Sequence, residues 1–217
     1  MTRSVRLFLF AVSAVICAVS FLFDDAVVSW VADHPGRSLH AVAHFFSTWG
    51  DYPPILGLLL LLTLMSWLLK RPFAIRLLLL MIASASIGGL IANILRILTG
   101  RARPSAKVPP GWYGLRDHGH WIAGSYSYSS FPSAHTAVAI ACIVPLWLLL
   151  PRRQRFVVAF PATLFALGVA ASRILLNAHH LSDVLSSVWL GILVSSLICA
   201  RFAYCALFTG KNPPETP

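Results

Sequence analysis

Six apolar runs of near-spanning length leave this chain few folds to adopt. They cover residues 7–23, 54–69, 77–95, 137–150, 156–171 and 184–208, and most approach the roughly 20 residues a helix needs to cross a bilayer. With 58% hydrophobic and 11% charged residues in 217, the chain is too apolar for a water-soluble core with a polar skin. The expected fold is all-α, a six-transmembrane-helix bundle that forms a single integral membrane domain over residues 1–217. Six spans leave little chain for a separate soluble domain. The longest polar segment, residues 99–130, becomes the main place for substrate-facing loop structure.

A net charge of +10 would point to nucleic acid in a soluble protein, but here the basic residues sit in short clusters at the ends of apolar runs. Arg3 and Arg6, then Lys70, Arg71 and Arg76, then Arg152, Arg153 and Arg155, then Arg201 and Lys211 fall on one side of a six-fold crossing. The positive-inside tendency makes that side cytoplasmic, with both termini inside. Residues 24–53, 96–133 and 172–183 then face outward, so nucleic acid is not the expected partner and the lipid bilayer is.

The first run, "MTRSVRLFLFAVSAVICAVS", has the basic start and apolar centre of a secretory signal. It continues through Phe21–Phe23 toward spanning length, so a retained helix is expected. Cys17, Cys142, Cys199 and Cys205 lie within apolar runs without metal-ligand or disulfide spacing. In "SLHAVAHFFSTWGDYPP", Leu39, Val42, Ala43 and Phe46 recur at helical spacing, which predicts an amphipathic helix lying in the interface. His40 and His44 share a face there, but no acidic or cysteine partner is near, and they read as interfacial histidines rather than metal ligands. "GDYPP" reads as a turn into the next run, and the tail 211–217 as disordered.

Three polar blocks interrupt the apolar pattern. The first, "RILTGRARP", carries Arg96 and Arg103 seven residues apart, on one face if the helix continues, with Arg101 elsewhere and Pro104 marking the change to loop. A guanidinium presents planar donors that match phosphate oxygens. The second, "PSAH", suits a helix start with Pro132 in the first turn and Ser129 or Ser130 as cap, so the N–H groups of Ser133 and Ala134 can cradle an anion beside His135. The third, "SRILLNAHHLSD", holds Arg173, His179, His180 and Asp183. A helix would let Asp183 accept the Nδ1–H of His179 and leave Nε2 as nucleophile or base, while His180 is also within reach of Asp183 by spacing. Several charges at one membrane face are costly, at about 2.5–3.5 kcal/mol each on insertion scales, so the combination points to a site.

In order and internal spacing these blocks resemble the type 2 phosphatidic acid phosphatase (PAP2) superfamily of membrane lipid phosphatases. That family's pattern is a lysine followed after six residues by Arg-Pro, then Pro-Ser-Gly-His, then Ser-Arg followed after five residues by a histidine with an aspartate four further on. The resemblance covers a motif core over residues 77–208; the first two runs match only in hydropathy and layout. It implies a metal-independent phosphatase without a cofactor, acting on the phosphate or diphosphate of a lipid such as phosphatidic acid, phosphatidylglycerophosphate, a polyprenyl diphosphate or a lipid A phosphate. It further implies that His179 attacks phosphorus and forms a phosphohistidine, that Asp183 orients it, and that His135 protonates the leaving oxygen and then activates water. Arg96, Arg103, Ser133, Ala134 and Arg173 would hold the phosphate oxygens.

Two positions depart from the pattern. Arg96 replaces the family lysine, which keeps the charge on a longer, forked group, and Ala134 replaces a glycine without losing its N–H. Arg116, His118 and His120 of the aromatic-rich loop are available for headgroup contacts. A lipid phosphotransferase would use the same intermediate, and a non-catalytic lipid transporter would explain the spans but not three ordered blocks. The expected location is the cytoplasmic membrane, with the site facing the periplasm or cell exterior.

Overall fold

The computed structural model describes residues 3–34 and 36–208. Lys211 and the tail 211–217, together with the side chains of Arg3, Arg6 and Cys205, lie outside the described residues. Helix α1 (Arg3–Ser20) runs through a single 3₁₀ turn, Phe21–Phe23, into α2 (Asp24–Asp33), and α3 (Arg37–Trp49) and α4 (Tyr52–Leu68) follow. Then come α5 (Pro72–Thr99), a two-residue hairpin of β1 (Arg116–Asp117) and β2 (His120–Trp121), α6 (Ala134–Leu149), and the short α7 (Arg152–Gln154). A π turn at Arg155–Ala159 leads into α8 (Phe160–Leu175), and α9 (Leu181–Phe208) ends the bundle.

The ends of these helices follow local chemistry. Asp51 caps α4 by accepting the Tyr52 N–H at 2.8 Å, and Pro53 follows in the first turn, where its missing N–H costs nothing. Helix α5 stops because Gly100 turns left-handed at φ +56°, and a Cβ there would fall on the Gly114 backbone. Ser133 caps α6, its hydroxyl accepting from the Thr136 N–H at 3.5 Å.

Helix α6 is the centre of the bundle, packed between α5 and α9. Close approach depends on small residues. A Cβ on Gly88 would stand 3.1 Å from Ala141, and one on Gly191 would stand 3.0 Å from the Ala137 carbonyl. Ala137 and Ala141 are fully buried. By contrast Leu60, Leu61, Leu64 and Leu68 of α4, Leu90 of α5 and Leu197 of α9 are exposed, an outward apolar surface that suits lipid and not water.

Four helices among the described residues are long and apolar enough to cross a membrane: Ala11–Asp33, Pro72–Thr99, Arg152–Leu175 and Leu181–Phe202. The pair α3 and α4, bent by 54°, makes a fifth if it counts as one span. The remaining expected run is α6, whose 16 residues reach about 24 Å, short of a hydrocarbon core of about 30 Å. The architecture is thus mostly helical and multi-pass, with four or five spans by length.

Several expected boundaries move. Residues 24–33, expected beyond the first apolar run on the outer side, continue it as helix, and Ala11–Asp33 is long and apolar enough to cross as one span. Helix α3 exists over a longer range than its apolar periodicity, and Phe46 packs on Phe165 of α8 at 5.5 Å between rings. Gly100 ends α5 before Arg103, so Arg96 and Arg103 do not share one helix face. Pro132 precedes the cap of α6, and the cap is Ser133, not Ser129 or Ser130.

Candidate active site

The C-terminal ends of α5 and α8 and the N-terminal ends of α6 and α9 meet at one end of the bundle, and loop hydrogen bonds tie them together. Arg103 donates its N–H to Ser127 at 2.9 Å, Ser105 to Asn177 at 3.0 Å, and Ser133 to Asp183 at 3.4 Å. The basic clusters Lys70–Arg71 and Arg152–Arg155 lie at the other ends of α5, α6 and α8.

His179 sits in the loop just before α9 and is 1% exposed. Its Nδ1 lies 2.6 Å from the Ser130 carbonyl, and so carries the proton, whereas the Asp183 carboxylate is 3.8 Å away. The direct partner is therefore a backbone carbonyl. Asp183 acts one step back, accepting the Ser130 hydroxyl at 2.5 Å and the His180 N–H at 2.8 Å. The spacing argument missed this because His179 precedes the helix, where the i to i+4 geometry does not hold. The Nε2 of His179 is buried and has no hydrogen-bond partner. Burial pushes the imidazole down to about 4, with Asp183 opposing and Arg103 and Arg173 reinforcing the shift, so at neutral pH Nε2 carries a free lone pair.

His180 is placed differently, though its Nδ1 is also buried without a partner. Its ring does not meet Asp183; Nε2 lies 3.2 Å from the Ala102 carbonyl and ties this loop to the first block.

The guanidinium groups of the first and third blocks also come together. Arg103 is 6% exposed, lies over the Tyr126 ring at 4.0 Å, and leaves Nε and Nη1 unpaired. It is within electrostatic reach of Arg96 and Asp183, and burial lowers its pKa. Arg173 bonds Ser47 through Nη1, and Arg96 bonds Asn93 at 2.5 Å through Nη2; the Nε of each is buried and unpaired. Unpaired buried guanidinium nitrogens are costly, and several near an unpaired imidazole nitrogen form a set of donors shaped for an anion. His135, in the first turn of α6, is within electrostatic reach of His179, Arg103 and Arg173. The hydroxyl of Ser133 and the N-terminus beginning at Ala134 stand beside it.

Cationic groups thus gather at this end of the helices, and a family model described as the PAP2 superfamily matches residues 73–206. The chain belongs to the PAP2 superfamily. The curated relatives of this PAP2 chain include lipid A 1-phosphatases of Rhizobium johnstonii and Rhizobium etli, each 33% identical over 129 residues, or 59% of the chain. The match spans about half the length of each relative, 49% and 52%. Among solved structures, a PAP2 type phosphatidylglycerolphosphate phosphatase from Bacillus subtilis aligns at a TM-score of 0.63 and 22% identity, over 94% of this chain and 98% of that one. LpxE of Aquifex aeolicus aligns at 0.58 and 16%, over 82% and 95%. Those two share the fold.

Other residues of the PAP2 chain enter the site without having been singled out by motif. Ser130 holds both His179 and Asp183. Asp51, read as part of a turn, brings Oδ1 to 3.4 Å from His135 Nε2. Arg101, set aside as pointing elsewhere, bonds Asp183 at 2.5 Å. An acidic residue beside "YPP" and an arginine two before Arg103 carried no spacing signal. Arg116, His118 and His120 lie on or beside the hairpin, where His118 is 91% exposed and pairs with Asp117 at 2.7 Å. His40 and His44 pack edge to face at 4.6 Å, and among the described residues no group of three or more His, Cys, Asp or Glu is arranged for a metal ion.

Proposed function

We propose that this protein is a membrane lipid phosphatase that hydrolyses a phosphate or diphosphate monoester through a phosphohistidine at His179. The observation that carries the reading is the fully enclosed imidazole with Nδ1 tied to Ser130 and Nε2 unpaired, within electrostatic reach of Arg103 and Arg173, each of which keeps a buried nitrogen unpaired. In the first step Nε2 forms a bond to phosphorus, the ester P–O bond breaks, and His135 gives its proton to the leaving oxygen. In the second, His135 takes a proton from water, the resulting oxygen bonds to phosphorus, and the P–N bond breaks to release inorganic phosphate. Arg103, Arg173, Arg96, the Ser133 hydroxyl and the Ala134 N–H hold the equatorial oxygens, where charge spreads in the transition state. Both steps use groups of the chain alone, and activity is expected to survive a chelator.

A lipid A-type sugar phosphate is the favoured substrate class, because the curated relatives are named for it. Six crossings, with both termini and the basic clusters in the cytoplasm and the site at the outer face of the inner membrane, are supported by the opposite ends that the clusters and the site occupy. In that arrangement the bent pair α3 and α4 counts as one span and the short α6 as another.

The test is phosphate release by purified protein from a lipid phosphate panel with chelator present. Wild type should release phosphate and form an acid-labile phosphoprotein, and His179→Ala should do neither. Full activity in His179→Ala would remove the nucleophile assignment; transfer of phosphate to an acceptor lipid would make the protein a phosphotransferase, and lipid movement without hydrolysis would make it a transporter. Cysteines placed in the 105–128 loop should react with an impermeant reagent from outside intact cells, and the reverse pattern would invert the orientation.

A further inference from the structure

Asp24, at the start of α2, lies outside the residues matched by the family model, yet it reaches the catalytic loop. It is 4% exposed. Its Oδ1 accepts the Ser182 N–H at 2.9 Å, and its Oδ2 accepts the Ser182 hydroxyl at 2.6 Å and Arg101 Nη2 at 2.6 Å. The other terminal nitrogen of Arg101 donates to Ser182 at 2.7 Å and to Asp183 at 2.5 Å. The guanidinium is covered by Trp112 at 4.7 Å and Phe21 at 5.3 Å from the ring centroids, which keeps water from screening the charges.

One arginine is thus shared by two buried carboxylates, and the charge count gives the arrangement its meaning. Arg101 and Asp183 alone would form a neutral pair, and His179 would then meet only the positive groups that face it: Arg103 of the loop, Arg173 of α8 and, when protonated, His135 of α6. A second carboxylate restores a net negative charge behind the imidazole. A nucleophile that becomes a cationic phosphoimidazole needs that charge.

We infer that Asp24 is a positioning residue of the active site, contributed by the first membrane span, which with Arg101 sets the net charge of the Asp183 cluster and through it the basicity of His179. The inference rests on His179 being the nucleophile. Its geometry requires no new contact with substrate, since Asp24 acts through Arg101, Ser182 and Asp183. Removing the Asp24 charge makes the cluster neutral, removing the Arg101 charge makes it doubly negative, and removing both restores a single negative charge.

The experiment is the titration of the His179 ring, read by NMR on full-length protein with 15N-labelled histidine in detergent micelles and assigned by the signal lost in His179→Gln. Relative to wild type, Asp24→Asn should lower the midpoint by about half a pH unit, Arg101→Gln should raise it by about as much, and the double variant should return close to wild type. A merely structural role would not shift the midpoint in opposite directions. On a lipid phosphate, kcat of Asp24→Asn should fall several-fold while KM stays within about twofold, as expected for a weaker nucleophile in an intact phosphate pocket. Coincident midpoints, single variants that move the same way, or a double variant that stays with Asp24→Asn would overturn the inference. If Arg101→Gln does not fold, Asp24→Asn and the double variant decide between these results. Full phosphatase activity in His179→Gln would instead remove the underlying nucleophile reading, so the two failures are distinguishable.

Discussion

Replacing Arg103 by lysine isolates what the guanidinium fork contributes to phosphoryl transfer. In the structure its Nε and Nη1 are buried without partners, and both are positioned to donate to phosphate oxygens under the reading above. Lysine keeps the charge but concentrates it at one atom on a flexible stem, so at least one of two fixed donors is lost. A hydrogen bond to a charged partner contributes about 1.5–3 kcal/mol, which converts to a fall in kcat/KM of roughly ten- to a hundredfold. Arg103→Ala should lose more, since the charge goes as well. Stability should change little by comparison, because the backbone N–H bond to Ser127 is retained and the stacking on Tyr126 is worth about 0.5–2 kcal/mol. The assay is phosphate release from a lipid phosphate in mixed micelles, paired with the vanadate inhibition constant and a thermal melt. Wild-type kcat/KM within threefold for Arg103→Lys, or a loss of activity explained by unfolding, would refute the assignment of the free nitrogens to the phosphate.

Asp51→Asn keeps an oxygen to cap α4 but removes the charge facing His135, so the melting temperature should hold while kcat on an alkyl phosphate falls about tenfold, with a smaller effect on a nitrophenyl ester that needs no protonated leaving group. Gly100→Ala forces a side chain into a left-handed position occupied by the Gly114 backbone; a loss of roughly 2 kcal/mol or more is expected from denaturant unfolding, with reduced activity because Arg101 and Arg103 follow directly. Acid should also weaken the fold through His179. Its folded value of about 4 lies below the ordinary 6.5, so the unfolded chain takes up the proton first; the contribution is complete above pH 6.5, declines as pH falls, and is lost below about 4. The difference is worth about 3 kcal/mol, and thermal melts across that window should show a smaller acid sensitivity in His179→Gln.

What could be read from the residues was whatever local order encodes. Apolar run length located the helical, multi-pass character but not the count of spans, and the three polar blocks marked Arg103, His135, Arg173, His179 and Asp183 as candidates, because residue types and spacing there suit phosphate chemistry. Boundaries were less legible where tertiary contacts decide them. Asp24 and Asp25 close the first apolar run in the sequence, but they also suit the first turn of a helix, and the chain continues as helix to Asp33. The break at Gly100 depends on Gly114, fourteen residues later, which no window around α5 contains.

The partners of the histidines were hidden for a deeper reason. A helical spacing rule assigns Asp183 to His179, yet His179 lies before the first turn of α9, and the Nδ1 proton goes to the carbonyl of Ser130 from a different loop. Backbone carbonyls have no identity in a sequence, so a site built on them leaves no signature there. Asp24 and Asp51 are invisible for the opposite reason: each is an ordinary acidic residue at a helix start, one that also reaches a buried arginine and one that also faces an imidazole. Both come from the part of the chain that precedes the family match. The matched core therefore supplies the groups assigned to the phosphate and its transfer, while carboxylates from the preceding helices balance its positive field. Relatives that keep the three blocks but lack these two carboxylates must neutralise the same arginines and histidine by other groups, or work at a different pH.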